Sequence, residues 1–164
     1  MPSAATWSTT SFAPSGSETK TTSASYTYNG YGNLTQQFSH GNVARDGSEI
    51  PNDELKTDIT YWPADTDRHL VSLPNTREVS EQRGQGWTLL KSIETDYSAA
   101  GDLTSVKTYV LPGSGSVQRT MSYDDAGKLT SVTSELGAET TIAYTEEMRR
   151  SGVSAFWVTE PVLK

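Results

Sequence analysis

The residues that could do chemistry are few and scattered. Two histidines, His40 and His69, stand beside Gly41 and Arg68 in stretches that read as loops. A general base has to face a nucleophile or a second titratable group, and nothing in the spacing brings these two together. Carboxylates pair at Asp65/Asp67, Asp124/Asp125 and Glu146/Glu147. Acid–base work by such pairs needs unlike environments converging from separate strands. Asp65-Thr66-Asp67 lacks the glycine and distal glutamate of a calcium loop. Gly84-Gln85-Gly86 lacks the third glycine and following helix of a dinucleotide site. No Gly-x-Ser-x-Gly elbow occurs. The reading is of a non-catalytic protein with no cofactor and no metal site.

The four tryptophans, Trp7, Trp62, Trp87 and Trp157, together with eight tyrosines, offer one binding chemistry. Exposed rings can stack on sugar faces, which makes a glycan a candidate partner. The competing reading, which we favour, is that they fill gaps between packed hairpins.

Composition bounds the partners further. A net charge of −7 disfavours nucleic acid and anionic lipid, because the one adjacent basic pair, Arg149-Arg150, follows Glu146-Glu147. No apolar run reaches membrane-helix length. The absence of cysteine excludes disulfides and thiolate metal sites. The first residues lack the basic and apolar regions of a signal peptide, so any export signal is expected outside this chain.

The elements that must position these residues are strands. Ser and Thr account for 44 of 164 residues, and only 34% are hydrophobic. Thr and Tyr favour strands, while Ser and Gly favour turns. Residues 1–18 read as an irregular Ser/Thr/Pro-rich lead-in, and residues 19–164 as a β region. Thr145 to Arg150 is the best window for a helical turn, and it is short. Pro74 interrupts a strand expected over Leu70 to Val79, placing that strand at an edge or giving it a bulge. The fold class is all-β, an antiparallel meander of stacked β-hairpins.

Self-similarity is the strongest signal. Three ungapped segments share Tyr-x-x-x-Gly-x-Leu-Thr: Tyr28, Gly32 and Leu34; Tyr97, Gly101 and Leu103; Tyr123, Gly127 and Leu129. A degenerate copy starts at Tyr144. The Tyr-to-Tyr spacings of 69, 26 and 21 imply divergent units hidden in the first gap. The Tyr ends an incoming strand, its neighbour (Asn29, Ser98 or Asp124) accepts a backbone hydrogen bond to start a turn, the Gly supplies a positive φ, and the Leu opens the outgoing strand.

This unit resembles the YD repeat of Rhs-type proteins, a Tyr-Asp dipeptide followed by Gly-[Arg/Lys/Asn]-Leu-Thr. The best copy is Ser122 to Val132, continued by Leu136-Gly137 and the strand Thr140-Thr141-Ile142-Ala143-Tyr144. The segment Leu70-Val71-Ser72-Leu73-Pro74-Asn75-Thr76-Arg77 resembles a Leu-Pro-x-Arg stretch found between YD repeats of B-type components of insecticidal toxin complexes and related virulence proteins. The resemblance covers roughly residues 19–153, and only Asp124 keeps the Asp after Tyr. It implies a sheet wound into a shell or spiral that encloses or presents a toxin polypeptide, or serves surface adhesion. The implied partners are other YD-repeat segments or that polypeptide, and the implied location is secreted or cell-surface.

Overall fold

The structure, a computed structural model, describes residues 4–12, 19–43, 53–110, 113 and 115–144. Ten strands account for most of them: β1 (Ala4–Phe12), β2 (Thr19–Tyr28), β3 (Leu34–Val43), β4 (Leu55–Tyr61), β5 (Pro74–Arg83), β6 (Gly86–Tyr97), β7 (Leu103–Val110), β8 (Ser116–Tyr123), β9 (Leu129–Thr133) and β10 (Glu139–Thr141). Strand order follows chain order. The recorded pairings are antiparallel. This is the all-β hairpin meander expected from the Thr-rich strands and close-set turn signals. The described residues hold no helix long and apolar enough to cross a membrane.

By contact density the chain divides into two compact units, Met1–Ile93 with Tyr109–Gly115, and Glu94–Thr108 with Ser116–Lys164. In the first, β1 pairs with β2 over its whole length, Ala4 opposite Thr27 and Phe12 opposite Thr19. Over Ala4–Phe12 a strand thus stands where an irregular lead-in was expected for residues 1–18, of which residues 1–3 and 13–18 lie outside the described residues. Small Ser, Thr and Ala residues hide the two-residue period there, yet Thr6, Thr9 and Thr10 suit an extended backbone. The window Thr145 to Arg150 and the rest of the degenerate copy after Tyr144 lie outside the described residues.

Pro74 is the first residue of β5, not an interruption within it. A strand's first position tolerates a missing N–H, so β5 lies between β4 and β6 rather than at an edge. The expected bulge is present. Thr60 faces Thr76 while Tyr61 faces Pro74, leaving Asn75 as the extra residue.

Among the side chains described, those of residues 23–41, 53–110, 113 and 115–144, no hydrophobic one is buried. The buried side chains are polar: Glu54, and the small Ser92 and Ser105 in the middle of β6 and β7. Ser105 Oγ accepts a hydrogen bond from Gln118 Nε2 of β8 (3.0 Å). With so little apolar burial, order must come largely from backbone ladders, turns and strand-end contacts.

In the first unit a bulge in β3 carries Gly41 at φ +70°. A Cβ there would run into the Asp53 carboxylate. Gly41→Ala is therefore expected to destabilise the chain by about 1–2 kcal/mol through left-handed strain, with the Asp53 carboxylate displaced as well. A urea-unfolding midpoint unchanged from wild type would contradict this close approach.

Candidate functional site

The functional feature is a turn built with the same bonds after Tyr28, Tyr97 and Tyr123. In the first copy Asn29 N–H donates to Asn33 O (2.9 Å) and Gly32 N–H to Asn29 O (3.0 Å). Ser98 and Gly101 repeat this with Asp102, at 2.8 and 3.0 Å. Asp124 and Gly127 repeat it with Lys128, both at 2.9 Å. The turn glycines have φ of +82° (Gly32), +92° (Gly101) and +73° (Gly127), a conformation that a Cβ opposes.

One side-chain oxygen organises each turn. Asn29 Oδ1 accepts from Tyr31 N and Asn33 N, both at 3.0 Å. Ser98 Oγ accepts from Ala100 N and Asp102 N, both at 3.1 Å, and donates to Asp102 Oδ2 at 3.0 Å. Asp124 Oδ1 accepts from Ala126 N and Lys128 N at 3.0 and 2.9 Å. Amide, hydroxyl and carboxylate oxygens thus do one job, which explains how Asp gives way to Asn or Ser after the Tyr.

Some tyrosines have a second role. Tyr123 Oη donates to Leu103 O (2.8 Å) and Tyr144 Oη to Leu129 O (2.9 Å). Tyr123, ending β8, thus clasps the carbonyl of the Leu that opens β7, and Tyr144, three residues past β10, that of the Leu that opens β9. Tyr61 Oη does the same to Leu34 O (2.8 Å). Tyr61 was not among the repeat positions found by pattern, and it marks a divergent unit inside the 69-residue gap. Its turn is replaced by a longer loop. Trp62 N–H bonds Leu73 O (2.9 Å), and the Asp65 and Leu70 backbones exchange hydrogen bonds at 2.8–3.0 Å. A hydrogen bond from Arg68 (2.7 Å), whose guanidinium also pairs with Asp65, holds that carboxyl below its ordinary range. Loss of both Gly and Leu hid this unit. The remaining signal was an aromatic residue ending a strand.

Bulges mark the same step. Tyr28 faces Leu34 while Thr27 faces Gln36, and Tyr123 faces Leu129 while Ser122 faces Ser131. The Thr of Leu-Thr, Thr35 or Thr130, is the extra residue. Thr35 Oγ1 donates to Thr27 O (3.0 Å), tying its bulge closed. Burial pushes the Tyr61 phenol above its ordinary value of 10.0, and it does the same to Tyr123 with a further push from the Asp102 charge.

The residues first considered for catalysis are dispersed. His40 Nε2 lies 3.3 Å from Ser25 Oγ, and its ring packs on Phe38 (4.5 Å). His69 sits in the exposed Tyr61–Pro74 loop, at φ +58°. Asp65 is bound to Arg68, Asp124 to its own turn, and Glu146/Glu147 lie outside the described residues. No cluster of three metal-ligating side chains occurs among the described residues. Trp87 stands edge-on to Phe38 (5.6 Å) with Lys56 Nζ 5.3 Å from its ring centroid, and it remains 40% exposed.

Comparison with known families fits this geometry. Residues 97–140 match the RHS Repeat. The matched stretch covers about a quarter of the chain. It runs from Tyr97 through two complete turns to the Ser134–Ala138 turn, which bonds in the same backbone pattern at 2.8 and 3.0 Å. The match supports a relationship to Rhs-type repeat proteins, whose RHS repeat is typically structural. No curated protein matches the chain.

Two outcomes follow for the RHS repeat turn. Asp124→Ala is expected to cost about 1 kcal/mol, as loss of a comparable cap does, whereas Asp124→Asn and Asp124→Ser stay near wild type. Equal losses for all three in urea unfolding would refute the shared-acceptor account. The raised phenol values carry a sign: the folded state holds the proton more tightly, so the clasp's contribution is complete below pH 10 and falls as pH rises beyond it. Tyr123→Phe should flatten the alkaline loss of stability, and an unchanged alkaline slope would contradict the assignment.

Proposed function

We propose that this chain is a non-catalytic structural module of a YD-repeat (Rhs-type) shell or scaffold. It works by enclosing or presenting a toxin polypeptide, or by mediating contact at a surface. The observation that carries the reading is the recurring clasp, in which Tyr61 closes on Leu34, Tyr123 on Leu103 and Tyr144 on Leu129. Such a unit extends by repetition, with each new hairpin contacting its neighbour, and it gains stability by stacking. The RHS repeat match over residues 97–140 supports it. On this reading the partners are other YD-repeat segments or an enclosed polypeptide, the protein acts outside the cell or at its surface, and its relatives include the B-type toxin-complex components.

Among the described residues nothing pairs with the outer side of β1. An open strand edge templates further pairing. Sedimentation over a range of concentrations should therefore show self-association. A sharp monomer at high concentration, unfolding in one cooperative step, would count against a wall-forming module.

A second reading rests on Trp62 and Trp87, each 40% exposed. Half-exposed rings suit stacking on a sugar face, giving a glycan-binding adhesion module. Tryptophan fluorescence titrated with a glycan panel is expected to shift for at least one member, and no shift with any glycan removes this reading.

A further inference from the structure

The residue between the turn Gly and the Leu differs in each copy: Asn33, Asp102 and Lys128. Both of its backbone groups are committed to its own turn. Its N–H goes to the organising side-chain oxygen, at 3.0, 3.1 and 2.9 Å. Its carbonyl closes the turn, accepting from Asn29, Ser98 or Asp124 N–H at 2.8–2.9 Å. The backbone is thereby fixed and the side chain has a set direction. All three residues are half-buried, whereas the turn-tip residues Tyr31, Ala100 and Asp125 are exposed.

In each case the side chain also reaches residues further along the chain, by a different chemistry, although Asp102 Oδ2 at the same time accepts from Ser98 Oγ of its own turn (3.0 Å). Asn33 Nδ2 donates to Val71 O in the Tyr61 loop (2.6 Å). Asp102 Oδ1 lies 3.8 Å from where a Cβ on Gly127 would stand, and its charge acts on the phenol of Tyr123. Lys128 Nζ lies 5.2 Å from the centroid of the Tyr144 ring. An amide thus meets a carbonyl, a carboxylate meets a turn glycine with a phenol beside it, and an ammonium meets an aromatic face.

We infer that this position is the matching residue by which one hairpin selects the hairpin that can follow it. The turn supplies a constant frame, and Asn33, Asp102 and Lys128 supply the specificity. The inference goes beyond the proposed function and does not depend on it, since it concerns contacts within this chain. A hairpin carrying Lys here calls for an aromatic face in its successor. One carrying Asp sets a carboxylate beside its successor's turn.

The direct test is a transposition, D102K with K128D in the full chain, which conserves composition and net charge. Amide exchange is read at Ile142, whose N–H bonds Thr130 O (2.8 Å) beside the Lys128–Tyr144 contact. Exchange there should quicken on the order of two- to five-fold, the size expected for losing an exposed cation–π contact. Lys128→Arg should preserve wild-type exchange, and Asp125→Lys at the exposed tip should leave it unchanged. Wild-type exchange in the transposed chain, or an equal effect from Asp125→Lys, overturns the inference. If the transposed chain does not fold, Asp102→Asn serves instead. By 13C-tyrosine NMR, with Tyr123 identified through Tyr123→Phe, its phenol should titrate at lower pH than in wild type, and no movement overturns the inference.

Discussion

The regular turns depend on a single side-chain oxygen after Tyr28, Tyr97 and Tyr123. By accepting two backbone N–H groups it closes a five-residue connection that would otherwise leave them to water, and it does so whether it belongs to Asn29, Ser98 or Asp124. Because that connection has one geometry, the Tyr before it and the Leu after it face each other at Tyr28/Leu34 and Tyr123/Leu129. The Thr beyond the Leu must then bulge where the register is recorded. The clasp from the next hairpin's Tyr follows from the same placement, since the Leu carbonyl sits where a phenol ending the neighbouring strand can reach it.

This arrangement answers a difficulty that composition poses. A chain with so few large apolar residues buries none among its described positions. Hydrophobic burial therefore supplies less than in a domain of ordinary composition. Directional bonds at strand ends substitute for it, and each clasp joins consecutive hairpins. Order is passed from hairpin to hairpin, as in other repeat proteins. The exposed Leu136, at 88%, shows how little pressure there is to hide apolar surface.

Much of this was legible in the sequence because the turn imposes fixed spacings on Tyr, Gly and Leu. The three copies beginning at Tyr28, Tyr97 and Tyr123 fold as their spacing implies, and the acceptor role of the following residue was readable from its type. What was not legible had lost those markers. Tyr61 keeps the clasp but neither the Gly nor the Leu, so only the hydrogen bond to Leu34 reveals it. β1 is written in Ser, Thr and Ala, whose alternation carries almost no hydrophobic contrast. Pro74 looked like a break because its place at the very start of a strand depends on the bulge opposite Tyr61. The direction of Asn33, Asp102 and Lys128 toward the next hairpin depends on pairing between strands, which a local pattern does not encode.

The measurement that tests this account most directly is residue-resolved amide hydrogen exchange on the full chain. If the turn-and-clasp ends hold the sheet, the amides of Asn33, Asp102 and Lys128, each bonded to its turn oxygen, exchange among the slowest, ahead of the strand ends remote from any clasp. Fast exchange at these three, with protection confined to strand middles or to the remote ends, would show that the sheet is held by something other than its repeated turn.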